Sequence, residues 1–120
     1  MSANTKSTIN TVLPSHIVEK LHPDMIEELN KSGNLVAIFN DKYFIKEKQV
    51  VDTFLSNKEI LWMSMKVDHD GYDNYGPESN LVSLYIITKE NDTYDYYMFY
   101  YEDWFNGINE EYELNNHFTL

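Results

Sequence analysis

The chain has 120 residues, which is the size of one domain, and its apolar content of 42% is enough to form a hydrophobic core. It contains no cysteine, which excludes disulfides and thiolate metal sites. Its formal net charge of −11 argues against direct binding to nucleic acid or to anionic membranes, because both attract lysine and arginine. The first residues carry no apolar signal-peptide segment, and no apolar run approaches the roughly 20 residues that cross a bilayer. We therefore expect a cytoplasmic protein.

The N-terminal half carries helical signals after a polar start. Residues 1–11 lack an apolar period, so we expect them to be disordered and a single domain to span residues 12–120. Pro14 with Ser15, and Pro23 with Asp24, predict the starts of two short helices, and Gly33 predicts the end of the second. The apolar residues 35–39 and 43–45 suggest a hairpin, and residues 46–56 have a helical period.

The C-terminal half has the alternation of β-strands. We predict strands at residues 60–67, 81–88 and 93–101, a long loop at 68–80, and a tight turn at Glu90, Asn91 and Asp92. Residues 102–111 suggest a short helix, and the tail from Glu113 is compatible with coil or an edge strand. The sequence thus predicts an α+β fold with N-terminal helices on one face of a mainly antiparallel sheet and a short C-terminal helix.

No residue pattern supports catalysis or a bound ion. Counted from Asp68, the loop has Asp73 and Ser79 where a calcium-binding EF-hand needs glycine and glutamate. His69, between two aspartates, is the best candidate for a general base, but its expected position is an exposed loop. A nucleophile elbow and a glycine-rich phosphate loop are both missing from the sequence. We therefore predict no enzyme activity, no metal and no cofactor.

The negative charge and the tyrosines are concentrated in the same half. Residues 1–60 carry seven lysines and eight carboxylates, net −1, whereas residues 61–120 carry two lysines and twelve carboxylates, net −10. The second half also holds nine of the ten tyrosines and both tryptophans. Tyrosine is enriched at protein interfaces, and carboxylates around such rings attract a basic partner. A surface that binds a basic protein is the function this pattern favours, while the alternative is that one ring set is core and the charge only aids solubility.

We predict a partner-binding surface built from carboxylates and aromatic anchors of the C-terminal half. Its members are Asp68, Asp70, Tyr72, Asp73, Tyr75, Asp95, Tyr97, Tyr101, Glu102, Asp103, Trp104, Glu110 and Glu111.

The composition resembles that of small acidic immunity proteins from bacterial polymorphic and contact-dependent toxin systems. Arginine is absent and Asn, Lys, Ile and Tyr are abundant, which favours an AT-rich bacterial or phage coding sequence. The resemblance implies an inhibitor that occludes the basic cleft of a nuclease-type toxin. The alternative is a phage anti-defence protein that mimics DNA against a host nuclease or a restriction or CRISPR complex. A regulatory module with a partner unrelated to nucleic acid is a third possibility.

Overall fold

The fold is α+β: a four-stranded antiparallel sheet with the order β1-β2-β3-β4 lies among short helices. The computed structural model describes residues 9–70, 79–104 and 111–120. The α-helices are α1 (Ile9–Val12), α2 (Ser15–Val18), α3 (Pro23–Ser32) and α4 (Ile45–Phe54), with 3₁₀ helices at Val36–Ile38 and Lys42–Phe44 between the last two. The strands are β1 (Glu59–Asp70), β2 (Ser79–Glu90), β3 (Thr93–Trp104) and β4 (Glu113–Thr119). The three predicted long strands are confirmed, and each is longer than the sequence indicated.

Strand β2 is buried on both faces and organises the core. Because side chains alternate across a strand, Val82, Leu84 and Ile86 face one apolar cluster, while Tyr85 and Ile87 face a second cluster on the other side. Helix α4 and the 3₁₀ helix Val36–Ile38 cover the first face, and α1, α2 and α3 cover the second. We call these the α4 face and the α1–α3 face. The expectation that the helices cover one face only is therefore wrong.

Strand β1 contains a β-bulge that lets two consecutive side chains face the same side of the sheet. The register with β2 shifts between Ile60 and Trp62, so Leu61 is an extra residue. Two consecutive side chains, Leu61 and Trp62, therefore pack into the cluster on the α1–α3 face, which a regular strand would not allow. The tight turn between β2 and β3 agrees with the prediction, since Asn91 takes a left-handed conformation with φ of 56°.

The hairpin predicted at residues 35–39 and 43–45 is replaced by two 3₁₀ helices. Side chains satisfy the backbone locally: the Asn34 amide oxygen accepts from the Val36 N–H at 3.0 Å, and Asp41 accepts from the Tyr43 N–H at 3.1 Å. Such local bonds compete with strand pairing and favour turns. The Leu35 N–H also donates to the carbonyl of Met63, so this segment covers part of the outer edge of β1.

The prediction of a C-terminal helix at residues 102–111 is wrong for residues 102–104, which belong to β3. Glu102, Asp103 and Trp104 extend β3, because β2 begins early enough at Ser79 to pair with them. Ladder pairing outweighs the helical spacing of the apolar residues here. Residues 105–110 lie outside the described part of the chain, and the tail forms β4.

The N-terminal prediction differs from the structure at residues 9–11. Helix α1 begins at Ile9, whose side chain is fully buried in the cluster on the α1–α3 face. Its backbone N–H donates to the side chain of Asn30 at 2.8 Å, which ties α1 to α3. Residues 1–8 lie outside the described part of the chain.

A buried hydrogen bond joins α4 to the start of the C-terminal segment. The Tyr112 hydroxyl donates to the Glu47 carboxylate at 2.5 Å, and both side chains are buried. Burial, and then the bond to Glu47, raises the pKa of Tyr112 well above its ordinary value. The Tyr101 ring meets the Tyr112 ring edge-on at a centroid distance of 4.6 Å. The hydrogen bond and the ring contact of Tyr112 together anchor the start of β4 against the α4 face.

Replacing Tyr112 by phenylalanine removes the hydroxyl and leaves the Glu47 carboxylate buried without that donor. We expect Tyr112→Phe to lower the free energy of unfolding by about 1–3 kcal/mol in urea denaturation. Adding Glu47→Gln should recover part of this loss, because an amide costs less to bury than a carboxylate. Tyr43→Phe is the matched control, since Tyr43 is exposed. Equal effects of the Tyr112 and control substitutions would contradict the structural role.

The buried tyrosines also predict a loss of stability at alkaline pH. Burial raises the pKa of both Tyr96 and Tyr112 in the folded protein. The unfolded chain therefore releases these protons first, and the free energy of unfolding should fall as pH rises above about 10. Urea denaturation at about pH 9 and pH 11 measures the change. A stability that is equal at both values would contradict it.

Candidate partner-binding surface

The sheet register brings predicted site residues from distant parts of the chain to one end of the sheet. Asp68 of β1 and Glu102 of β3 both pair with Leu81, so they lie on either side of β2 in one row. In the same way Asp70 and Trp104 both pair with Ser79. Neighbouring strands lie about 4.8 Å apart, so the backbones of paired residues on β1 and β3, which have β2 between them, are about 10 Å apart.

We call this part of the sheet the acidic end. Its members, all predicted from sequence, are Asp68, Asp70, Glu102, Asp103 and Trp104.

The described side chains of the acidic end are accessible. Asp68 is exposed and Glu102 is half-buried. Lys66 lies 3.9 Å from Asp68 and also pairs with Glu28 of α3. The bond to Glu28 is the main reason that the pKa of Lys66 is raised, so this lysine stays charged. The negative charge of Asp68 is therefore partly balanced by Lys66. Because the carboxylate is exposed, it can still bind a lysine or arginine of a partner.

Tyr101 connects the acidic end to helix α4. Its ring is half-buried against the cluster on the α4 face, and the Lys46 ammonium lies 4.2 Å from the ring centroid. A cation over an aromatic face is attracted by the ring electrons. Tyr101 directly precedes Glu102 in β3, and consecutive side chains of a strand lie on opposite faces, so Lys46 and the first turn of α4 lie on the face of the sheet away from Glu102.

Asp95 and Tyr97, two other predicted contact residues, lie inside the fold. Asp95 is buried, accepts from the Thr119 hydroxyl at 2.8 Å, and lies 3.5 Å from His117 and 3.9 Å from Lys58. Tyr97 is buried and stacks on the His117 ring at a centroid distance of 4.3 Å. Burial is also the main cause that raises the pKa of Tyr97. Both side chains hold β4 to β3 and are not placed to touch a partner.

Removing the Asp95 carboxylate should loosen the last strand. We expect Asp95→Ala to speed hydrogen exchange of the amides of residues 117–120 and to lower the free energy of unfolding by about 1–2 kcal/mol. Glu113→Ala is the control, because Glu113 is an exposed carboxylate on the same strand. Unchanged exchange in Asp95→Ala would contradict the role of Asp95 in holding β4.

The other predicted site residues divide into two groups. Tyr72, Asp73, Tyr75 and Glu110 lie outside the described part of the chain. Glu111 is exposed and lines a shallow groove beside α4. The groove has both polar and apolar walls, formed by Lys46, Gln49, Val50, Thr53, Phe54, Glu111 and Tyr112.

The sequence did not reveal the most exposed apolar side chains. The sequence pattern predicts a hairpin strand for Tyr43 and Ile45. In the structure Tyr43 lies in the second 3₁₀ helix and is 77% exposed, and Ile45 begins α4 and is 61% exposed. Ile38 and Val67 are also more than half exposed. The signal available in the sequence was the apolar run at residues 43–45 beside Lys42 and Lys46, where the chain is least acidic.

The described residues contain no group of three or more His, Asp or Glu side chains that could hold a metal ion. Among the same residues, no helix has the length and apolar character needed to cross a membrane. His69 lies in β1, paired with Asn80, and not in the loop where it was predicted.

Comparisons with known proteins give this chain no relative. No family model, no curated protein and no solved structure matches it.

Proposed function

We propose that this protein is a non-catalytic inhibitor that binds a basic protein in the cytoplasm through the acidic end of its sheet. The observation that carries the proposal is the row in which Asp68 and Glu102 flank β2. Two carboxylates about 10 Å apart can each meet a separate lysine or arginine of a partner. The net charge of −11 would speed the approach of such a partner.

The partner class that fits this surface best is a nuclease-type toxin, and the protein would then act as its immunity protein. A nuclease has a basic cleft because its substrate is a polyanion. Carboxylates on a rigid sheet can occupy the positions of phosphates in such a cleft and exclude the substrate. Sheet strands suit this task, since they hold charges at fixed spacing better than loops do.

The test begins with capture of partners by the immobilised protein from a lysate of cells that encode it, at low salt. The captured protein is then purified and assayed for nuclease activity with and without one equivalent of this chain. We expect a basic nuclease whose activity is lost in the complex. A captured protein that is not basic, or whose nuclease activity is unaffected, would overturn the proposal. Capture of a host restriction or CRISPR complex would instead support the DNA-mimic alternative.

Charge reversal at the acidic end should weaken this complex. We expect Asp68→Lys/Glu102→Lys to slow association by about tenfold or more, because both the attraction at a distance and the local pairs are lost. Glu19→Lys/Glu27→Lys is the matched control: it changes the net charge by the same amount at exposed positions in the helical half. Surface plasmon resonance gives both rates. Equal slowing in the two variants would mean that overall charge, and not this surface, drives binding.

A further inference from the structure

Two apolar side chains share the sheet face of Asp68 and Glu102 without belonging to the core. Side chains alternate along a strand, so Leu81 of β2 and Tyr100 of β3 face the α1–α3 side, as Asp68 and Glu102 do. Both are half-buried, yet neither is part of the cluster that α1, α2 and α3 cover. Within the described part of the chain, Tyr100 has no hydrogen bond and no ring contact. Leu81 and Tyr100 therefore lie beyond the helical cover of this face.

Carboxylates lie around these two side chains on the same face. Tyr100 pairs directly with Glu113 of β4, and paired residues of an antiparallel sheet share a face. Glu102 lies two residues after Tyr100 in β3, and Leu81 separates it from Asp68. We call Leu81, Tyr100, Asp68, Glu102 and Glu113 the Tyr100 patch.

Two carboxylates of the Tyr100 patch have no cation of their own. Glu102 is half-buried and Glu113 is exposed, and neither carboxylate has an ion pair or a hydrogen bond within the described residues. Lys66 lies in the same row as Tyr100, but it is bound to Glu28 of α3. A carboxylate next to apolar side chains is stabilised when a cation pairs with it, because it has less water around it. Glu102 and Glu113 are thus available to a cation from outside the chain.

The combination of apolar and acidic groups specifies the occupant. A lysine or arginine side chain can lay its aliphatic stem on Leu81 and hold its charged group over the Tyr100 ring or against Glu102. A purely apolar occupant would bury Glu102 without a partner, which is costly. A second copy of the chain would bring another −11 to the same place and is disfavoured by repulsion. A basic protein surface is complementary to both features.

We infer that the Tyr100 patch anchors a lysine or arginine side chain of the basic partner, which docks on the α1–α3 side of the acidic end. This inference rests on the proposed function and adds the residues that slow dissociation. The carboxylates would mainly set the rate of association, whereas the contact of the stem with Leu81 and Tyr100 would mainly set the rate of dissociation. Tyrosine suits this task because it offers a large area with few rotatable bonds.

Two synthetic peptides of equal length and equal charge provide the test. One has three lysines, each followed by glycine, and the other has 2,3-diaminopropionate in place of lysine, so its ammonium groups have almost no aliphatic stem. A titration at about pH 6, where both amines are protonated, is followed by amide chemical shifts, which give affinity and contact site together. We expect the lysine peptide to bind about fivefold tighter and to shift the amides of Leu81, Tyr100 and Glu102. Equal affinities, or shifts confined to other residues, would overturn the inference.

Variants of Tyr100 separate packing from charge. Tyr100→Thr should remove most of the advantage of the lysine peptide, and Tyr100→Phe should keep it, because the ring remains. Tyr94→Thr is the matched control, since Tyr94 is a half-buried tyrosine on the same face of β3 at the opposite end of the strand. Leu81→Thr is a second variant whose result does not depend on the folding of Tyr100→Thr, and it should also reduce the advantage. An advantage that persists in both threonine variants of the patch overturns the inference.

Charge variants test the proposed function separately. Asp68→Lys/Glu102→Lys should weaken the binding of both peptides. If it does so while the advantage of the lysine peptide persists in Tyr100→Thr and Leu81→Thr, the inference fails and the proposed function stands. If it leaves the binding of both peptides unchanged, the proposed function fails and the inference fails with it.

Sedimentation of the free protein tests the competing occupant. We expect a monomer for the unmodified chain and for Tyr100→Thr. A dimer that Tyr100→Thr converts to monomer would show that a second copy covers the Tyr100 patch, and it would overturn the assignment to a basic partner.

Discussion

Burial of the two central strands on both faces is the constraint on which the rest of the structure depends. Strands β2 and β3 carry apolar side chains on either side, so each face needs its own cover. The chain meets this need with α1, α2 and α3 on one face and α4 on the other. Because α4 must cross to the second face, the connecting segment 35–45 runs over the sheet edge and exposes Ile38, Tyr43 and Ile45. The exposure of these three side chains is thus a consequence of how the core is closed.

The tyrosines serve the core more than the sequence suggested. Tyr96, Tyr97 and Tyr112 are buried, and Tyr85, Tyr94, Tyr100 and Tyr101 are half-buried. A strand that faces two clusters can bury rings on both sides, so the dense tyrosines of β3 are mainly packing residues. Tyr43, the one tyrosine outside the acidic half, is the described ring that is most exposed. Most tyrosines therefore lie in the C-terminal half, whereas the most exposed of the described tyrosines lies in the N-terminal half.

The charges of the second half likewise divide between fold and surface. Asp95 and Glu90 engage Lys58 at the end of the sheet that carries the β2–β3 turn, where Glu90 bonds to it at 2.7 Å. Asp68 and Glu102 lie at the opposite end, on either side of β2. The first pair supports the junction of β1, β2 and β3, and only the second leaves carboxylates positioned for a partner. Net charge alone could not separate these roles.

The sequence predicted those features that depend on local alternation. Strands at 60–67, 81–88 and 93–101 follow from the period of two, and the turn at Asn91 follows from its residue types. Features that depend on distant pairing were missed. Residues 102–104 extend β3 only because Ser79 and Asn80 lie opposite them, and residues 35–39 leave the strand conformation because Asn34 bonds to Val36. The row that unites Asp68 with Glu102 also requires the register, which no local pattern contains.

The dependence of the association rate on salt tests most directly the claim that the acidic end recruits a basic partner. The rate constant for binding the purified basic partner would be measured by stopped flow from about 20 mM to about 500 mM sodium chloride, a range over which the Debye length falls several-fold. We expect a decrease of tenfold or more for the unmodified chain and a much smaller decrease for Asp68→Lys/Glu102→Lys. A rate that does not change with salt, or a salt dependence that is the same in that variant, would contradict it.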